Sequence, residues 1–134
     1  MKTQVKILFL AILFAFASCS EDANEAANST AGFSATDING TWKVSPSNLT
    51  INISGVSESN YGSATITSVG TAMPSGANGG EVLREIEHIQ GGYWNAYNYT
   101  YYDNGTWAQT SVVGLAMSDD KSEFKIGSAV YKKQ

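Results

Sequence analysis

Residues 81–117 read EVLREIEHIQGGYWNAYNYTYYDNGTWAQTSVVGLAM. Two turn signals divide this stretch into three runs. Asn104-Gly105 lies in YYDNGTW, and a two-residue hairpin turn needs φ > 0 at both positions, which Asn and Gly tolerate. Gln90-Gly91-Gly92-Tyr93 offers a second such turn. Tyr, Trp, Thr, Val and Ile dominate the runs between turns, and these residues suit a pleated, half-buried surface. The stretch therefore predicts consecutive antiparallel strands near 82–90, 93–102 and 107–117. A short helix competes for Glu81–Gln90, because Val82, Leu83, Ile86 and Ile89 also fall at helical spacing. The direct passage through Gly91-Gly92 into the next run favours the strand.

Two-residue loops fix a register. Residues whose numbers sum to 183 face each other across Gly91-Gly92, and those summing to 209 face each other across Asn104-Gly105. One sheet face then collects Val82, Arg84, Ile86, His88, Tyr93, Asn95, Tyr97, Tyr99, Tyr101, Ala108, Thr110 and Val112. The other collects Glu85, Glu87, Asn98, Thr100, Gln109 and Ser111, with Trp94, Trp107 and Tyr102 toward its ends. The second face is the wetter one. The tyrosine stripe is therefore expected to point inward, with Arg84 and His88 beside it. Val112 is out of phase with Leu115 and Met117, so Gly114 is expected to mark a bulge.

The same signals continue upstream and downstream. In Asn48–Ser54, Leu49, Ile51 and Ile53 share one face while Asn48, Thr50 and Asn52 share the other, the alternation of a half-buried strand. Further strands are expected near 41–45, 61–69, 123–127 and 128–132. The predicted fold class is all-β: a small antiparallel up-and-down barrel or a sandwich of about eight short strands, occupying 38–134.

The N-terminus supplies an address. Lys2 and Lys6 precede Ile7–Ala17, an uninterrupted apolar run of eleven residues. A membrane-spanning helix needs roughly 20, so charge followed by a short apolar run and small residues predicts a secretory signal peptide over 1–18. Phe16-Ala17-Ser18-Cys19 resembles the lipobox of bacterial lipoproteins, which implies a lipidated Cys19, the one cysteine of the chain. An ordinary cleavage site at Ala15-Phe16-Ala17 is the alternative. Ser20-Glu21-Asp22 resembles the acidic export signal of Bacteroidota-type surface lipoproteins, although an acidic start to a solvated tether accounts for it too. A diacylated cysteine holds a protein at a bilayer stably, at about 0.8 kcal/mol per buried CH₂. The expected location is the outer membrane of the cell envelope, exposed at the surface. Residues 19–37, rich in Ala, Ser, Asn and acid with Phe33 as their one aromatic, are expected to form a disordered tether.

Charge and composition exclude several classes. Removing Lys2 and Lys6 with the signal takes the formal charge from −4 to −6. With no basic stripe, nucleic acid is not an expected partner. One cysteine allows neither a disulfide framework nor a thiolate cluster. His88, the single histidine, has Glu85 and Glu87 nearby in sequence, but on a strand both face away from it, and acid–base catalysis needs an oriented partner. Asp119-Asp120 lacks the spaced oxygen ligands of a calcium loop and reads as a turn. The Asn-x-Ser/Thr sequences at Asn28, Asn39, Asn48, Asn52, Asn98 and Asn104 read as a polar β surface. No enzyme activity, metal or cofactor is expected.

Asn39-Gly40-Thr41-Trp42 places Gly-x-Trp at the head of the first strand, which resembles the calycin group of lipocalins and avidins. GTWKVSPSNLTINI, YGSATITSV and the closing FKIGSAVYKK resemble barrel strands of that group. The resemblance implies a barrel with Trp42 across its floor. The arginine usual near the C-terminal end of lipocalins has no counterpart here, Lys132 and Lys133 being the nearest basic residues.

Tyr93, Trp94, Tyr97, Tyr99, Tyr101, Tyr102 and Trp107 form an aromatic cluster. Tyr and Trp join apolar area to a polar tip, which suits the C–H faces and hydroxyls of sugars; equally, the tyrosines can fill a core. The expected function is non-enzymatic binding of a small molecule or glycan, with Arg84, His88, Tyr97, Tyr99 and Tyr101 on a concave face. The competing expectation is a protein partner, such as an inhibited hydrolase, met through loops or exposed Trp94 and Trp107 with no ligand pocket.

Overall fold

The computed structural model describes residues 21–134. The expected signal peptide, 1–18, and Cys19 lie outside them. Eight strands follow in chain order: β1 (Gly40–Val44), β2 (Leu49–Ser54), β3 (Gly62–Ser68), β4 (Glu81–Gln90), β5 (Tyr93–Tyr101), β6 (Trp107–Met117), β7 (Glu123–Ile126) and β8 (Ala129–Lys133). Each pairs antiparallel with its neighbour, and β8 returns to β1, closing an up-and-down barrel compatible with a calycin-like fold. Glu81–Gln90 is a strand.

The 209 register holds from Tyr93↔Ala116 to Asn98↔Ser111, then shifts by one toward the turn. The face assignment is inverted on β5 and β6 and at Arg84, while Val82, Ile86 and His88 of β4 point inward as expected. Trp94, Ala96, Leu115 and Met117 are buried, while Val112 is exposed. The reason lies in the bulges. Asn95 pairs with Gly114 in unbroken ladder, so no bulge separates Val112 from Leu115. The irregularities fall instead between Arg84 and Glu87 and between His88 and Gln90 on β4, and after Asn98 on β5–β6. Glu85 takes φ 51° in the first of these. The extra residue turns Arg84 outward while Leu83 and Ile86 stay in the core. Gly114 serves another need: the Tyr93 ring lies so close that a Cβ there would overlap it.

The core fills the barrel. Trp42, Ile51, Ile53, Ala64, Ile66, Leu83, Ile86, Trp94, Leu115 and Phe124 each have 2% or less of their surface accessible. Phe124 meets Trp42 edge-on at 4.8 Å and stacks on Tyr131 at 4.8 Å. Trp42 lies inside at the end where β1 begins. Lys133 Nζ sits 5.0 Å over its ring and reaches the Asn39 carbonyl at 3.4 Å. A lysine therefore supplies the cation at this tryptophan. At the seam between first and last strands, Trp42 pairs with Lys133 and Lys43 with Lys132.

Residues 21–37 are not a free tether. Helix α1 (Glu21–Ala27) and a 3-10 turn (Ala35–Ile38) pack against the floor of the barrel. Ala26, Ala35 and Ile38 are buried. Gly92 N–H donates to the Ala26 carbonyl at 2.8 Å. Trp42 Nε1 donates to the Ile38 carbonyl at 2.9 Å, and Trp94 Nε1 to the Ala35 carbonyl at 3.0 Å. Composition predicted disorder because the segment is polar on average. Its few apolar residues suffice because two buried indoles and a hairpin turn await them.

Asp37 and Lys121 pin this strap, their carboxylate and ammonium 2.9 Å apart. Burial pushes the Asp37 carboxyl up, but the Ser34 N–H and Lys121 outweigh it and leave its pKa below the ordinary 3.8. A carboxylate depressed by folding contributes stability above its unfolded pKa and loses it as pH falls through the folded one. The strap is therefore expected to loosen below pH 3.8. Hydrogen exchange at Gly92 N–H reads this, and Asp37→Asn should flatten the acid dependence. Equal acid sensitivity in that variant would assign the effect to other carboxylates.

Candidate functional site

The expected concave site does not assemble as a unit. Its residues divide between two places, and neither is a cavity inside the barrel.

His88 is at the floor. Its side chain is 12% exposed and its ring lies 4.8 Å from that of Trp94. Nε2 is 2.7 Å from the Gly91 carbonyl. A carbonyl only accepts, so Nε2 carries the hydrogen and Nδ1 presents its lone pair in the neutral ring. Nδ1 faces Glu58 Oε1 at 3.6 Å, and the same oxygen accepts from Ala35 N–H at 3.3 Å. Nε2–H thus ties His88 to the β4–β5 turn, Glu58 ties the 55–61 loop to the strap through Ala35 N–H, and the Nδ1–Glu58 contact becomes attractive only when the ring is protonated. A cleft of about 230 Å³ opens beside it, lined by Ser57, Glu58, Tyr61 and Glu87 among others.

Arg84, Tyr97 and Tyr99 are on the outer wall. Arg84 pairs with Tyr97 across β4–β5, and Tyr97 pairs with Val112 across β5–β6. The Arg84 guanidinium lies 4.2 Å over the Tyr99 ring. Its Nε is 3.2 Å from Glu81 Oε1, with both side chains 42% exposed. The approach makes no hydrogen bond, so the pair is electrostatic alone, and exposed pairs contribute about 0–1 kcal/mol. Tyr99 donates its hydroxyl to Gln109 at 3.1 Å. Tyr61, 59% exposed, joins the patch from the start of β3. Its hydroxyl pKa is raised first by the Glu87 charge, and further by Glu85 and Tyr97. Val112 completes the surface at 60% exposure.

Tyr101 belongs to neither place. Its ring meets Trp107 edge-on at 5.1 Å, and the pair covers Gly76 and Gly80 in the β3–β4 connection at the far end of the barrel. Trp94 is fully buried and Trp107 partly so. The expectation that Trp94 faces a partner is therefore corrected, since its indole is fully inside the molecule, while Trp107 keeps part of its surface exposed. Tyr61 was missed by sequence reading because it stands alone, far from the tyrosine cluster; only the pairing of β3 with β4 brings it there.

Asp119-Asp120 forms a turn. Asp120 accepts from Ser122 and Ser118 hydroxyls and from Ser122 N–H, which hold its pKa down at about 2. Asp119 accepts from the strap's Ser29 at 2.7 Å. Among the described residues no group of three or more His, Cys, Asp or Glu side chains is arranged to hold a metal. A second surface cleft, about 500 Å³, runs between α1 with its following residues and β6–β7.

Comparison with family models, curated proteins and solved structures returns no match to this chain. The functional reading therefore rests on the geometry of the wall.

Proposed function

We propose that this chain is a lipid-anchored module of the cell envelope that binds a protein partner through the outer wall of β4, β5 and β6. One observation carries the reading: Tyr61, Tyr97, Tyr99, Arg84 and Val112 meet on a convex sheet face, with Val112 and Tyr61 more than half exposed. Contiguous exposed apolar area marks interaction surfaces. Tyrosine and arginine carry a large share of binding energy at such surfaces. A small-molecule cup needs a hollow interior, and the packed core withdraws support from it. A glycan is the competing ligand for the same wall, since Asn95 and Gln109 set amides beside the tyrosine rings.

The anchor part of the proposal rests on Cys19 and the lipobox-like residues before it. Cys19→Ser is expected to move the protein from the membrane to the soluble fraction with an unchanged melting profile. Retention in membranes would remove the lipid reading.

The wall part is tested by cross-linking the full chain in intact envelopes. Tyr97→Ala with Val112→Ser is expected to reduce the captured partner by tenfold or more, in line with the energies of truncated hot spots. Both side chains point outward, so folding should be unaffected. Unchanged capture would defeat the wall reading. Glycan-array binding lost in the same variant would transfer the wall to sugars.

A further inference from the structure

We infer that the Tyr61–Tyr97 portion of the wall receives a cationic side chain, arginine or lysine, so that the partner presents a basic segment. This rests on the outer-wall reading above and names the partner's chemistry.

The wall already holds one example of the contact. Arg84 lies on the Tyr99 ring at 4.2 Å while Glu81 stands 3.2 Å from its Nε. Aromatic face plus carboxylate is the arrangement that attracts a guanidinium or ammonium. The next position along β5 repeats these ingredients. Tyr97 stands there on β5. Glu87, on β4, lines one cleft with Tyr61, because Gly62 pairs with Ile86 beside them, and the charges of Glu87 and Glu85 raise the Tyr61 hydroxyl pKa. The Arg84–Glu81 and Lys121–Asp37 ion pairs and the His88–Glu58 contact leave Glu85 and Glu87 unengaged by any of the three.

The barrel's charge distribution points the same way. Lys43, Lys125 and Lys132 lie on β1, β7 and β8. In the closed order of eight strands, β8 is diametrically opposite β4. The β4 side carries Glu58, Glu81, Glu85 and Glu87 against Arg84 alone. A one-signed face steers an oppositely charged partner toward it. A neutral glycan gains nothing from this field. A second copy of the chain, with a formal charge of −6 after signal removal, meets overall repulsion.

The test uses the full chain and two fluorescent nonapeptides, one of arginine and one of glutamate, with binding followed by anisotropy at low and at physiological salt. The arginine peptide is expected to bind and the glutamate peptide not to bind. Tyr97→Ala and Glu87→Gln should each weaken binding about tenfold, consistent with a desolvated cation–π and charge contact. Tyr97→Phe should stay within twofold because the ring face remains. Glu123→Gln, on β7, should also stay within twofold. Equal weakening by Glu87→Gln and Glu123→Gln, or no effect of Tyr97→Ala, would overturn the site, since binding would then follow overall charge alone. If the arginine peptide fails to bind while Tyr97→Ala with Val112→Ser still loses the envelope partner, the cationic chemistry falls and the wall reading stands. If neither binds, both fall.

Discussion

Trp94→Ala is expected to lower the stability of the barrel by about 3–5 kcal/mol, the range for truncating a fully buried large aromatic. For a domain of this size that corresponds to a fall of roughly 10–25 °C in melting temperature. Three contacts vanish together. His88 loses the ring 4.8 Å away, Phe33 loses its edge-on partner at 6.3 Å, and the Ala35 carbonyl loses its donor at 3.0 Å. Trp94→Phe separates these effects. It keeps most of the ring volume but leaves the Ala35 carbonyl unpaired, which costs about 1–3 kcal/mol. Both variants should also expose the strap to protease near 28–34. A Trp94→Ala protein that melts within a few degrees of the parent would contradict the packing of the floor.

Gly70→Ala is expected to destabilise by about 2–4 kcal/mol, combining the left-handed backbone penalty with loss of hydrogen-bonded loop contact. Gly70 has φ 55°, and a Cβ there would overlap the Ser47 carbonyl. That carbonyl is already engaged by Thr71 N–H at 2.8 Å and the Thr71 hydroxyl at 3.3 Å. The obstacle is backbone, so no side-chain rotation relieves it. Gly79→Ala is the control. It has φ 83° but open space around the added carbon, so it should cost only the conformational part. Equal effects at the two positions in a urea melt would show that steric overlap at Gly70 contributes nothing.

The strands were legible because their signals are local. Alternation in Leu49, Ile51 and Ile53, and the glycine-bearing turns after Gln90 and Asn104, placed all eight strands to within a residue or so. The side of the sheet that faces the core was not legible. It depends on bulges, and the decisive one holds Glu85 at φ 51°, a conformation that nothing in its side chain announces. Gly114 drew the bulge in sequence reading, but it is glycine because Tyr93 covers it. The error then spread to the site: Arg84, Tyr97 and Tyr99 went outside while His88 stayed in. The strap escaped for a related reason. Averaged composition dilutes Phe33 and Ala35, and their partner Trp94 is 59 residues beyond Ala35. Tyr61 joined the wall by the same kind of long-range pairing.

The seam between β1 and β8 has a kinetic consequence. It joins groups as far apart as Asn39 and Lys133, 94 residues along the chain. Such a distant pairing is slow to form, because the entropy of closing the long loop precedes its contacts. During that interval the sheet is open, and β1 and β8 are bare edges able to pair with another molecule. Each edge carries an outward lysine, Lys43 on one and Lys132 on the other. When the ring closes, these two become direct neighbours, a mildly unfavourable like-charge pair. The native barrel thus retains a small repulsion at its seam. The same two charges guard the unfinished sheet against aggregation before the joint exists.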